Sequence, residues 1–232
     1  MAEKIRYTRK DLKEPDEFVS WFGRIVLWSR ENRPKFLAGI LVAIGIFALV
    51  YGGRTYFQWR DDRAAIEIWP YLEQAREMLV APVGAETRDP AALEKEISFL
   101  ADKHKGSKTA LFARYYLGGI AFKRGDYEAS AEIYRETIKD IGKDRLMAFL
   151  LYTGVGSSLE AKGDYEGAAE AYGKAVEASE FSLRMIAQFD KARALELAGK
   201  KDEAIAFYRQ IREENPESVQ KDLIEVKIAR ME

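Results

Sequence analysis

Residues 36–53 read FLAGILVAIGIFALVYGG, an uncharged run bracketed by Lys35 and Arg54 in an otherwise densely charged chain. Eighteen residues of helix extend about 27 Å, close to the thickness of a bilayer's hydrocarbon core. The pattern predicts one uncleaved spanning helix. A cleaved signal peptide fits less well, because 35 residues precede the run and no small-x-small cleavage site follows it. A core helix of a soluble domain is the third reading. Just upstream, Phe18, Trp21, Phe22, Ile25 and Trp28 recur at helical spacing, with Ser20, Arg24, Arg30 and Glu31 facing away,. Pro15 and Asp16 are start signals,. Such a segment would lie in the membrane interface, or dock on a partner's cytoplasmic face.

Beyond the run, the pattern predicts helix through residues 54–69, a stop or kink at Pro70, and a second helix to about Val80,. A loop follows at 81–90. Asp89 then caps, and Pro90 opens, a helix running to about Lys103, with a break at 103–108,. From there the chain repeats itself. GDYEASAEIYRETI begins at Gly125, GDYEGAAEAYGKAV at Gly163 and GKKDEAIAFYRQIR at Gly199, 38 and 36 residues apart. A period of this size marks stacked helical units that bury their apolar faces only against one another.

These residues resemble the tetratricopeptide (TPR) family. Leu117-Gly118 stands on helix A, Gly125-Asp126-Tyr127 makes the turn, and Ser130, Tyr134 and Thr137 stand on helix B. Val155-Gly156, Gly163-Asp164-Tyr165, Ala168, Tyr172 and Ala175 match in the second unit, and Ala192, Gly199, Ala204, Tyr208, Ile211 and Pro216 in the third. Lys201 stands where the family has Tyr, and Ile211 where it has Ala. The resemblance implies an all-α fold: an N-terminal transmembrane helix followed by a TPR-type α-solenoid with terminal capping helices. The expected organisation is a cytoplasmic tail with an amphipathic segment (1–35), the spanning helix (36–53), connecting and N-terminal capping helices (54–108), then repeats and a C-terminal capping helix (109–232). In that last helix Val219, Leu223 and Val226 are expected to face inward.

Composition narrows the chemistry. Residues 1–35 carry nine Lys/Arg and six Asp/Glu, residues 54–232 carry 28 and 32, and no basic stripe suited to nucleic acid is present,. The chain has no cysteine and one histidine, His104, which reads as a solvated loop residue and cannot build a nitrogen–sulfur metal site with partners,. Gly154-Val155-Gly156 is a small-residue repeat position rather than a phosphate loop, since no strand precedes it. No nucleophile–base–orienter set emerges, and neither enzyme activity, a cofactor nor a small-molecule substrate is expected.

The resemblance assigns helix A side chains to a partner-binding groove: Phe112, Tyr115, Phe122 and Lys123, then Leu150, Thr153 and Glu160, then Ile186, Phe189, Arg193 and Glu196. Of the Lys/Asn/Arg clamp that some family members close on a C-terminal carboxylate, only Lys123 and Arg124 match. In the spanning run Gly45, Ala48 and Gly52 share one face and would admit another transmembrane helix, although glycine is common in such helices,. Arg24, Arg30, Arg33 and Lys35 before the run, against Arg54, Arg60 and Arg63 after it, favour a cytoplasmic N-terminus,. The whole layout resembles the ancillary SecYEG translocon subunit family, especially at residues 18–60 and 99–130. That implies a single-pass protein of the bacterial inner membrane, with a periplasmic repeat domain partnered by translocon components, chaperones or exported chains. A scaffold for a division or outer-membrane assembly complex is the alternative.

Overall fold

The computed structural model describes residues 17–82, 89–215 and 221–232, with side chains at all of these except 17–20, 22, 181 and 182. The start signals at Pro15 and Asp16, most of the 81–90 loop, Pro216 and Val219 lie outside the described residues, as do the side chains of Ser20, Phe18 and Phe22. Ten helices are described: α1 (Glu17–Glu31), α2 (Arg33–Val80), α3 (Pro90–Lys103), α4 (Lys108–Lys123), α5 (Tyr127–Ile138), α6 (Arg145–Lys162), α7 (Tyr165–Ala178), α8 (Phe181–Leu197), α9 (Lys201–Glu214) and α10 (Lys221–Met231). The chain divides into two units, Met1–Gln58 and Trp59–Glu232.

In the first unit the amide of Asn32 donates to the Trp28 carbonyl and that of Phe36 to the Asn32 carbonyl, both at 2.9 Å, so the backbone ladder carries through the α1–α2 junction. The Trp28 and Phe36 rings meet edge to face at 6.5 Å. Trp21 and Trp28 are exposed while Ile25 is half-buried. Along α2 the apolar side chains point outward: Leu41, Phe47 and Leu49 are exposed, Leu49 at 78 %. The apolar stretch has a mean hydropathy of 2.3 over an 18-residue window, none of it buried, so it is long and apolar enough to cross a membrane.

Helix α2 runs unbroken past Pro70 to Val80, where the sequence pattern predicts a stop or kink. Proline removes one amide from the ladder, to the carbonyl of Ile66, and Ile66, Trp69 and Pro70 lie on the exposed side, where solvent can take that carbonyl. The opposite stripe, Ala64, Ile68, Leu72, Ala75 and Met78, is buried. It forms one core with Leu93, Ile97 and Leu100 of α3 and Ala113, Leu117 and Ile120 of α4. Asp89 accepts from the Ala91 amide at 3.0 Å and Pro90 opens α3, as the sequence pattern predicts.

From α3 onward each helix packs on its neighbour in sequence, and α4–α6 and α6–α8 also touch. A second core runs through Tyr134, Leu151, Tyr172, Tyr208 and Ile224. The three inter-helix turns are alike. Gly125, Gly163 and Gly199 take positive φ of 85°, 89° and 78°. The next amide in each, of Asp126, Asp164 and Lys200, returns to a carbonyl five residues back, which satisfies the end of the preceding helix,. Asp126 and Asp164 then cap α5 and α7 by accepting from the amides of Ala129 and Gly167, whereas Lys200 makes no side-chain cap for α9.

The terminal helix turns a different face inward from the expected one. Ile224 and Ile228 are buried, with Met231 packed beside them, while Leu223 and Val226 are 47 % and 64 % exposed. The i, i+4, i+7 spacing of Ile224, Ile228 and Met231 follows one helical face, and Leu223 and Val226 fall beside it.

Candidate functional site

Three tyrosines, one per repeat, organise the face lined by α4, α6 and α8. The Tyr134 ring fits between Gly118 and Gly154, where an added Cβ at either position would overlap it, and Tyr172 fits against Gly156 in the same way. Tyr208 meets Phe189 edge to face at 5.6 Å. Gly154 and Gly156 therefore serve close helix approach, as expected. Burial pushes all three phenol hydroxyls well above their usual range,.

Each of the last two tyrosines donates to a glutamate twelve residues earlier: Tyr172 to Glu160 at 3.1 Å and Tyr208 to Glu196 at 3.2 Å. Arg193 closes on Glu160 at 3.1 Å and on Asp190 at 3.0 Å. Lys227, from α10, closes on Glu196 at 2.9 Å. Burial raises the Asp190 carboxyl above the ordinary range, and the Arg193 guanidinium opposes that shift. In the first repeat the position twelve before Tyr134 is Phe122. The carboxylate is missing there, and a pocket of about 610 Å³ opens, lined by Leu79, Pro82, Phe122, Tyr134, Leu150 and Thr153 among others.

The eleven expected groove residues thus separate. Tyr115, Phe122, Lys123, Leu150 and Thr153 come together at this pocket. Glu160, Phe189, Arg193 and Glu196 belong to the tyrosine–carboxylate network. Phe112 lines a different cavity of about 720 Å³ with Ile66, Trp69 and Pro70, and Ile186 is exposed. Lys123 is engaged already: its ammonium donates to the carbonyls of Met78, Leu79 (3.2 Å) and Ala81 (2.7 Å) and so caps the C-terminal end of α2,. Leu79, Pro82 and Tyr134 escape a reading confined to helix A positions. The signal that could have found the pocket is the Phe122–Glu160–Glu196 alignment. In the apolar stretch of α2, a Cβ added at Gly45 or Gly52 would meet nothing within 4 Å.

His104 corrects another expectation. It ends α3 with its side chain 11 % exposed, and Nε2 lies 3.0 Å from Glu67 Oε2. Lys103 reaches the same oxygen at 2.5 Å. Asp61 accepts from the Lys108 amide at 3.0 Å, and Arg60 donates to the Gly106 carbonyl. The 103–108 turn is therefore clamped along one flank of α2. Among the described residues, no group of three or more His, Asp and Glu side chains is placed to hold a metal ion.

Residues 110–144 and 156–219 match the model of the tetratricopeptide repeat. A crystal structure of kinesin light chain TPR-like repeats from Podosopora anserina superposes with a TM-score of 0.56 at 12 % identity, over 74 % of this chain and 85 % of that one. At that identity the likeness is one of fold. No curated protein sequence matches the chain. The chain carries tetratricopeptide repeats in an all-helical solenoid, which makes it a protein–protein interaction scaffold, and no catalytic family is indicated.

Proposed function

We propose that this repeat scaffold is a membrane-tethered adaptor or chaperone that serves the protein-export translocon from the periplasmic side of the bacterial inner membrane. The observation that carries the tether is the unburied apolar window of α2, with a mean hydropathy of 2.3. A core helix of a soluble protein would bury such a surface, because apolar area left in water costs roughly 25 cal/mol per Å². A contiguous apolar surface of this extent marks a contact with membrane or protein. The N-side excess of Lys and Arg supports a cytoplasmic N-terminus,, and the resemblance at residues 18–60 and 99–130 supports the translocon as the destination. Tethering raises the local concentration of a binding module, so weak contacts of a repeat face suffice.

Crosslinked pull-down of the full chain from membranes tests this reading. Translocon subunits or exported chains should be enriched. Enrichment of a division or outer-membrane assembly complex instead would move the scaffold there. A C-terminal reporter active only in the cytoplasm would overturn the periplasmic assignment.

A further inference from the structure

We infer that the outward face of α10 is a self-association surface, on which a second copy of this chain lays its own α10 antiparallel across a two-fold axis at Val226. The inference goes beyond the interaction-scaffold reading and is independent of which membrane complex is served.

Helix α10 buries Ile224 and Ile228. At about 100° per residue, Val226 points away from that pair, with Asp222 and Leu223 one turn before it and Ala229 and Arg230 one turn after,. All five side chains are exposed, Leu223 at 47 % and Val226 at 64 %. Lys221 and Glu225 fall off this face,. Along the face the order is acid, apolar, apolar, small, base, and it is symmetric about its centre. Asp222 and Arg230 each stand four residues from Val226, and Leu223 and Ala229 each stand three.

A two-fold axis brings the same patch of two copies together. Antiparallel pairing about Val226 sets each Asp222 level with Arg230 of the second copy. Two ion pairs form, the two Val226 side chains meet, and the aliphatic stem of Arg230 covers Leu223. Parallel pairing would instead set like charges side by side. Other charges of α10 are engaged within the chain: Lys227 with Glu196 at 2.9 Å and Glu232 with Arg209 at 2.5 Å. Asp222 and Arg230 enter no ion pair among the described residues. A bilayer surface fits this face less well, because helices that lie on lipid set a broad apolar face beside Lys and Arg. The patch is far smaller than the roughly 800 Å² per partner of a stable complex. The association is therefore weak in dilute solution and gains where copies are held at high local concentration.

The test uses the full chain in detergent micelles over a concentration series, with disulfide crosslinking as a trap for weak association. The chain has no cysteine, so each introduced thiol stands alone. Val226→Cys should form a covalent dimer under mild oxidation, because its counterpart faces it across the axis. Leu223→Cys should form none, since antiparallel pairing separates its two copies by about 9 Å along the helices. In the Val226→Cys background, Asp222→Arg and Arg230→Asp should each lower crosslinking about fivefold. Mixed together, those two variants should crosslink to each other at the parent level, read from size-tagged chains, since every charge then faces its opposite. Should a melt show that a reversal unfolds α10, Asp222→Asn and Arg230→Gln take its place and should each lower crosslinking about threefold. Absence of a Val226→Cys dimer, an equal yield from Leu223→Cys, a mixture no better than either reversal alone, or neutral variants that crosslink like the parent would each overturn the assignment. A bimane label at position 226 whose emission shifts to the blue on adding liposomes would also overturn it, by giving the face to lipid. None of these results bears on the pull-down that tests the translocon reading.

Discussion

The ring of Tyr134 lies so close to Gly154 that a Cβ there would stand 2.6 Å from Cε2. Alanine at a helical glycine ordinarily gains about 1 kcal/mol of propensity. Here the methyl would displace a buried ring of the main core, at a cost of about 1–3 kcal/mol,. Gly154→Ala should therefore destabilise the repeat domain on balance. Gly173→Ala is the contrast: its nearest neighbour is the flexible Lys191 ammonium at 3.4 Å, so the propensity gain should survive. Urea denaturation of the two variants should move the midpoint in opposite directions; a shift of the same sign would mean that the tyrosine–glycine fit is loose.

Lys123 joins α4 to the end of α2 through carbonyl groups 42–45 residues away in sequence. Lys123→Met keeps the aliphatic stem and removes the ammonium. The last turn of α2 should then lose its cap, with a cost of about 1 kcal/mol and faster amide exchange at residues 78–81. Exchange unchanged there would show that solvent replaces the lysine without penalty.

These contacts show where the sequence was legible and where it was not. Local chemistry carries its own signal. Gly125, Gly163 and Gly199 sit where a helix must stop, Asp89 and Pro90 where one must start, and the 38- and 36-residue spacings give the stacking. The use of a side chain by a distant element leaves no such mark. Lys123 reads as a groove cation until the end of α2 is seen beside it, and His104 reads as solvated until Glu67 covers it. Glu160, Arg193 and Glu196 stand on the repeats' A helices, but neighbours from other helices occupy them. In α10 the inward stripe had two candidate phases a residue apart, and packing on α9 selected Ile224 and Ile228.

Glu67 gives the domain an acid limb of known sign. Lys103 and then His104 hydrogen-bond its carboxylate and hold its pKa at about 2, below the ordinary 4.5. The folded state stays ionised where the unfolded chain takes up a proton. The stabilisation is therefore complete above pH 4.5 and is lost as pH falls towards 2,. Between those values Glu67→Gln should show a shallower decline in denaturation midpoint than the unaltered chain, and identical slopes would exclude the clamp as a source of the acid limb.

Lys200 breaks the cap that its two counterparts make. Its backbone, at φ −82° and ψ 63°, matches Asp126 at −87° and 72° and Asp164 at −85° and 76°. An aspartate in place of Lys200 would therefore aim its carboxylate at the Glu203 amide as the others aim theirs, and would meet the positive end of the α9 dipole. Such a cap stabilises by about 1 kcal/mol. The substitution removes the exposed Lys200–Glu166 pair at 3.0 Å, which is worth about 0–1 kcal/mol in water. It also places a carboxylate near Glu166, Asp202 and Glu203, and salt weakens that repulsion. The cap is the larger effect. Lys200→Asp should raise the thermal midpoint, and the gain should grow with added salt as the repulsion is screened while the hydrogen bond remains. A lower midpoint at high salt would mean that the introduced carboxylate fails to reach the helix end and that the matching backbone angles do not suffice for a cap.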